Sequence, residues 1–196
     1  MYDFLAWRSE RTAIHTGVRM LDVKPGETVL EIGYGTGHAV VAMARAVGAG
    51  KVYGIDISEG MYRVAQVAVE REGLSDRVVL TRGDARSLPF GSRFFDAVFL
   101  SFTLELFSDD DMSRLLRECG RVLKKGGRIC VVALERTASP GIAERGYEAL
   151  HRIFPVYIDC RPVMLADVVE KAGFRIRESR EMSLWGLPVK ILTGTW

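Results

Sequence analysis

Several residues along the chain have types and spacings suited to holding a nucleoside-like ligand. Glu31-x-Gly33-x-Gly35-x-Gly37 follows the β-branched run Thr28 to Ile32 and precedes Val40, Val41, Met43, Ala44 and Val47 at helical period. Glycine there permits positive φ and close backbone approach, and the amides of a helix start face whatever the turn holds. The dinucleotide fingerprint Gly-x-Gly-x-x-Gly fits neither register, because its last position falls on His38 counted from Gly33 and on Val40 counted from Gly35. With no basic residue in the turn, a pyrophosphate, and so a nucleotide-linked oxidoreductase, is disfavoured. A second strand-like run ends in Gly54-Ile55-Asp56-Ile57-Ser58, with a carboxylate where such folds hydrogen-bond a ribose diol. Further on, Gly83-Asp84-Ala85 leads into Leu88-Pro89-Phe90, an acidic side chain beside an apolar loop, suited to the amino group and ring face of an adenine. Each group also has a plainer reading: a tight strand-helix connection, a cap at Asp56 for the helix starting near Glu59, and an Asx turn at Asp84.

The elements that must position these groups alternate. Phe4, Leu5, Ile14, Val18 and Leu21 lie at roughly helical spacing behind Asp3, which predicts a leading amphipathic helix closed by Pro25-Gly26. Strands are predicted at Thr28 to Ile32, Lys51 to Ile55, Arg77 to Thr81, Phe95 to Leu100 and Arg128 to Leu134. Helices are predicted from Glu59 to Arg71 and from about Met112 to Leu123, the second opened by Ser108-Asp109-Asp110-Asp111 and stopped by Lys124 to Gly127. The strands are apolar on both faces, which a parallel sheet covered by helices on each side requires. Residues 135 to 161 break the pattern with Pro140-Gly141, a helical segment around Ile142 to Ile153, and the run Phe154 to Pro162. A helix at about Val163 to Ala172 follows, then strands at Phe174 to Met182 and Val189 to Thr195, joined through Trp185-Gly186-Leu187-Pro188 as an antiparallel hairpin.

The 196 residues, 48% apolar and 27% charged, suffice for one globular domain over 1–196, with 1–24 as its leading helix. Its 27 basic and 25 acidic side chains, with Lys124-Lys125 as the nearest thing to a basic run, argue against a nucleic-acid partner. Cys119, Cys130 and Cys160 are dispersed, without a Cys-x-x-Cys pair, so buried reduced thiols and no metal are expected. No apolar run approaches the ~18 residues of a spanning helix, and the first residues lack the pattern of a signal peptide, so a cytoplasmic location is expected.

Taken together, five motifs carry a resemblance: VLEIGYGTG from Val29, GIDIS from Gly54, GDARSLPF from Gly83, FDAVFLSFTLELF from Phe95 and RVLKKGGR from Arg121. From about Thr28 to Trp196 the chain resembles the class I S-adenosylmethionine-dependent methyltransferases, in the small branch similar to the ubiquinone/menaquinone-biosynthesis C-methyltransferases. The resemblance implies an α/β fold, a Rossmann-like seven-stranded sheet in the order 3-2-1-4-5-7-6 with strand 7 antiparallel and helices on both faces. It implies S-adenosylmethionine as cofactor and S-adenosylhomocysteine as product. Glu31, Gly33, Gly35 and Gly37 would shape the methionine side, Asp56 would hold the ribose, and Gly83, Asp84 and Ala85 the adenine. Ile57 and Met61 would pack on its ring, and Ser101 would border the cofactor at the end of the fourth strand. Tyr2-Asp3 and Arg121 to Lys124 match the quinone-methylating enzymes, but Ala133 stands where those carry a glutamate, and the segment after strand five is shorter. The acceptor therefore stays open among a quinone precursor, a phospholipid head group and another metabolite.

An activated methyl donor leaves the protein mainly to align a nucleophile and exclude water. An amine need only arrive unprotonated, whereas a phenol or carbon nucleophile needs a His, Tyr or carboxylate. Candidates are His15, Glu105, His151, Tyr157 and Asp159. Tyr157 and Asp159 are expected to position or deprotonate the nucleophile, and His151 and Arg161, in the substrate-side insertion 135–161, to bind the acceptor. The Arg161 guanidinium would offer a planar fork to a phosphate or carboxylate. Plainer readings are exposed helix positions for His15 and His151, a solvated loop charge for Glu105, and an Asp159–Arg161 salt bridge. Ser101-Phe102-Thr103 is neither the Asn/Asp-Pro-Pro-aromatic loop of nucleic-acid amino methylation nor the carboxylate of metal-assisted catechol methylation. A small-molecule or lipid-like acceptor is expected. Tyr2, Phe4, Leu5, Trp7, Arg8 and Arg11 suit either a peripheral membrane contact or a lid over the pocket. A reading of another class is a non-catalytic S-adenosylmethionine-binding partner subunit.

Overall fold

The computed structural model describes residues 2–136 and 161–196, with side chains described from Glu10 onward. Its strands are β1 (Thr28–Ile32), β2 (Lys51–Asp56), β3 (Val78–Arg82), β4 (Phe95–Ser101), β5 (Leu123–Leu134), β6 (Arg175–Leu184) and β7 (Leu187–Thr195). They form one sheet in the order β3-β2-β1-β4-β5-β7-β6. Pairing is parallel from β3 through β5, and β7 runs antiparallel to both β5 and β6. The order and the reversed seventh strand are those implied by the sequence motifs.

The two apolar faces of the strands explain the layers. Val29, Val52, Ala97, Phe99, Cys130 and Val132 face α1 (Tyr2–Leu21), α2 (His38–Ala46) and α3 (Glu59–Arg71). Their neighbours Leu30, Ile55, Val98, Leu100, Ile129 and Val131 face α4 (Asp109–Val122) and α5 (Leu165–Lys171). Because side chains alternate along a strand, a sheet buried on both sides needs apolar residues at successive positions. Two helix starts carry side-chain caps: Ser58 accepts from the Met61 N–H at 3.3 Å, and Ser108 from the Asp111 N–H at 3.3 Å.

Several boundaries differ from the sequence expectation. β5 begins at Leu123, directly after α4, so Lys124 to Gly127 lie within the strand rather than in a turn before it. Pairing with β4 slips between Phe95–Leu123 and Ala97–Arg128 to absorb the extra residues, and Lys124 Nζ reaches Asp96 at 2.7 Å. A 3-10 turn, Leu104–Leu106, was not legible as helix. The expected helix start at Val163 moves to Leu165, because Val163 bridges Glu135 in parallel. In the hairpin, Leu187 and Pro188 pair with β6, leaving Trp185 (φ 53°) and Gly186 (φ 81°) as a two-residue turn. Cys119 and Cys130 are free and buried, and burial pushes both thiols up. The expected helix at Ile142 to Ile153 and Cys160 lie outside the described residues. Among the described residues no helix is long and apolar enough to cross a membrane.

Candidate functional site

Strand order reverses between β1 and β4, where connections leave to opposite faces, and ligands bind outside the carboxyl ends of such strands. A cleft of about 820 Å³ opens there, reaching the ends of β1, β2 and β4.

The floor is the turn after β1. Gly33, Gly35 and Gly37 all have positive φ (71°, 50° and 83°). A Cβ on Gly33 would lie 2.2 Å from Thr103 Oγ1, whereas one on Gly35 would meet nothing within 4 Å. Gly33 is thus required by close packing against the loop after β4, and Gly35 by its backbone angle. Asp56, at the end of β2, accepts the Gly35 N–H and the Ser58 N–H, each at 2.9 Å, one on each carboxylate oxygen. The cap of α3 is therefore the Ser58 hydroxyl, and Asp56 instead ties the glycine turn to the second strand while lining the cleft.

Glu31 is 1% exposed and its Oε2 has no hydrogen-bond partner among the described residues. Burial, with the Asp56 charge adding to it, holds its carboxyl well above the usual range, against the Val40 N–H that pulls it down. An orphaned oxygen on the cleft lining, beside the Asp56 side chain and an open glycine backbone at Gly35, fits a ligand that brings an ammonium group and a hydroxyl pair.

Ile57 (74% exposed), Met61, Gly83, Asp84, Ala85 and Ser101 also line this cleft, so every cofactor-side residue singled out from the sequence, apart from Gly37, borders it directly. Gly37 lies one residue before α2, its N–H bonded to the Tyr34 carbonyl at 2.8 Å. Asp84 is pinned by Arg86, whose backbone N–H and guanidinium take both of its oxygens and hold its carboxyl below the usual range. Arg86 also reaches Asp111 at 3.1 Å. The apolar stretch after Ala85 turns away from the cleft, contrary to expectation. Phe90 packs edge-on to Phe95 and Tyr53. Arg121 clamps the carbonyls of Leu88 and Phe90 at 3.0 and 2.8 Å, and Glu118 takes the Leu88 N–H at 2.9 Å. Arg121, the first residue of the RVLKKGGR motif, therefore shapes this loop.

On the acceptor side, His151, Tyr157 and Asp159 lie outside the described residues. Arg161 does not line the cleft. Its guanidinium donates to the Phe107 carbonyl at 2.9 Å and to Asp109 at 2.7 Å, an ion pair with the start of α4. Glu105 is not a solvated loop charge: the 3-10 turn tucks it under the end of β5, where Oε1 accepts the Leu134 N–H at 3.2 Å and burial pushes its carboxyl up to about 7. His15 is exposed on α1.

Glu10 and Ile14 from α1, Tyr34 and His38 around the glycine turn, and Leu106, Phe107 and Asp111 after β4, none singled out as ligand-facing, complete the wall together with Arg11, one of the residues named for a lid over the pocket. The signal for α1 was present in its apolar stripe, since Ile14 packs against the core while its neighbours one turn away face the cleft. The chain meets a family model described as a methyltransferase domain over residues 29–127. It is 37% identical over 154 residues to the demethylmenaquinone methyltransferase of Bacillus cytotoxicus, covering 78% of this chain and 59% of that one. The chain spans a little over half the length of the curated relatives it matches. Among solved structures, the fold is similar to a SAM-dependent methyltransferase from Aquifex aeolicus, with TM-score 0.70, 22% identity, and 93% and 88% of the two chains covered. It is likewise similar to the [4+2]-cyclase SpnF, with TM-score 0.75, 23% identity, and 95% and 80% covered.

Proposed function

The chain belongs to the methyltransferase-domain family, among the class I proteins related to the menaquinone-biosynthesis methyltransferases, and on that premise we propose that it methylates a small-molecule acceptor using S-adenosylmethionine. The observation that carries the reading is the convergence of the glycine turn, the orphaned Glu31 oxygen and Asp56 on one cleft. S-Adenosylmethionine, when bound, supplies a methyl group already activated as a sulfonium.

The residues would divide the work by chemistry. Glu31 and the open backbone at Gly35 suit the amino-acid end, and the amides after Gly37 at the start of α2 suit its carboxylate. Each Asp56 oxygen accepts one backbone N–H and retains a lone pair for a ribose hydroxyl. Ile57 and Met61 offer apolar surface to an adenine ring, with Gly83, Asp84 and Ala85 at its edge and Ser101 bordering the cleft. Arg86 claims both Asp84 oxygens, so any bond from an adenine amino group is shared with that ion pair. Ile14, Phe102, Leu106 and Phe107 make the remaining lining largely apolar, which supports a ring-bearing acceptor of the kind named for the demethylmenaquinone-methylating relatives.

Calorimetry with S-adenosylhomocysteine is expected to give one site per chain. Asp56→Ala should weaken it by at least about tenfold, since a hydrogen bond to a charged group contributes roughly 1.5–3 kcal/mol. Transfer of label from methyl-labelled S-adenosylmethionine to a fractionated extract then identifies the acceptor. No binding would reject the reading, and binding without transfer to any fraction would favour the non-catalytic partner subunit.

A further inference from the structure

A second cavity, of about 480 Å³, opens at the opposite end of the sheet, where the chain enters β4 and β5 and leaves β7. Ser92, Arg93, Arg121, Lys125 and Trp196 are in its lining. Carboxylates close by in the chain are used elsewhere: Glu118 takes the Arg121 guanidinium at 2.6 and 2.7 Å, and Asp96 takes Lys124 at 2.7 Å. The Arg93 and Lys125 side chains make no hydrogen bond or ion pair among the described residues, so two positive charges face the cavity without a counter-charge. Arg93 is also held at φ 57°, a region that disfavours any side chain and suits glycine. The strained turn is fixed against the end of α4, its N–H donating to the Arg121 carbonyl at 3.0 Å and the Phe94 N–H to the Val122 carbonyl at 2.8 Å. Trp196 is locked from the other side. Phe174 packs against it at 4.9 Å between ring centroids, and a Cβ on Gly120 or Gly173 would stand 2.5 or 3.2 Å from the indole. The ring nevertheless stays 45% exposed.

We infer that this cavity is a second binding site, separate from the cleft at the carboxyl ends of the strands, for a phosphate monoester carried on a flat ring, of the size of a nucleoside monophosphate. The Arg93 guanidinium offers a planar fork to two phosphate oxygens, and Lys125 adds a mobile point charge. Ser92 lends a hydroxyl to the same wall. The fixed indole of Trp196 gives the ring a surface to stack on at little cost in ordering, because its own position is already set by Phe174 and the two glycines. The volume suits a small organic ligand rather than a bare ion. The strain at Arg93 belongs to the same picture: backbone held in a sparsely populated region recurs where the fold fixes a side chain for a ligand. Nothing in this assignment depends on what the cleft after β1, β2 and β4 holds.

The experiment is calorimetry on the full chain at fixed ionic strength, with AMP and ribose 5-phosphate as probes, each with and without S-adenosylhomocysteine. AMP should bind at one site per chain with a Kd of about 10⁻⁴ M or tighter, unchanged by S-adenosylhomocysteine. Ribose 5-phosphate should bind about tenfold more weakly, for want of a base to stack on the indole. Arg93→Gly should weaken AMP by at least about tenfold, the usual size for lost hydrogen bonds to a charged group. Its urea midpoint should stay or rise, because glycine takes φ 57° without strain. Lys125→Gln should weaken AMP as well and flatten the dependence of its affinity on salt. No saturable binding of AMP, its displacement by S-adenosylhomocysteine, equal affinity for ribose 5-phosphate, or full affinity in either Arg93→Gly or Lys125→Gln would overturn the inference.

Discussion

Glu31 and Glu105 are the buried carboxyls that keep an oxygen without a hydrogen-bond partner among the described residues, and they do so in different settings. Glu31 borders the cleft, where a ligand can complete it; Glu105 is enclosed under β5. Glu105 ionises near 4.5 when exposed in the unfolded chain and near 7 when folded. Between those values the folded state keeps a proton that the unfolded state has lost, so stability falls as pH rises through that window and levels off above it. The span corresponds to roughly 3 kcal/mol at most. Glu105→Gln keeps the acceptor for the Leu134 N–H and removes the titration. Urea unfolding at pH 5 and pH 8 should therefore show the variant gaining on wild type by a few kcal/mol at the higher pH. A difference that does not change with pH would mean the carboxylate is compensated in the fold. No local pattern in Leu104-Glu105-Leu106 distinguishes this residue from a surface charge, because the strand that covers it lies about thirty positions away. The glycines and Asp56 were legible because their constraint is local: a backbone angle, and a strand end followed by a helix.

Among the elements, α4 shows how much the sequence specifies locally. Ser108 caps it, three aspartates occupy its first turn, and Met112, Leu115, Leu116, Cys119 and Val122 bury one stripe. Ser108→Ala should cost about 1 kcal/mol in chemical denaturation, the usual size for a lost cap. No change would mean that the acidic first turn alone satisfies the helix start. The end of α4 was less legible. Lys124 to Gly127 has the composition of a turn, yet the chain is already paired as strand at Leu123, since Phe95 and Ala97 on β4 offer partners on both sides of the slip. Leu187 and Pro188 were likewise assigned to a turn, although Pro188 faces Ser183 in the ladder and the reversal needs only Trp185 and Gly186.

For the whole molecule, the placement of α1 over the cleft depends on a long-range clamp. Arg128, on β5 beside the central strand β4, donates to the Leu21 and Asp22 carbonyls at the end of α1 and to Glu27 ahead of β1. Arg128→Gln should destabilise by about 1–3 kcal/mol, allowing for partial exposure of the pair, and should speed tryptic cleavage after Arg19, in the last turn of α1. Unchanged cleavage would show that apolar packing of Ala13, Val18 and Leu21 suffices to hold the helix. The sequence by itself determined the succession of strands and helices and most of the residues that border the cleft after β1, β2 and β3, because period, caps and glycine angles are properties of neighbouring residues. Only the tertiary structure decided the rest: Glu10 and Ile14 in the cleft wall, Glu105 enclosed, Arg161 paired with Asp109, and Arg121 clamping the loop. Those relations join residues tens of positions apart, and their partners are set by how the helices pack on the sheet.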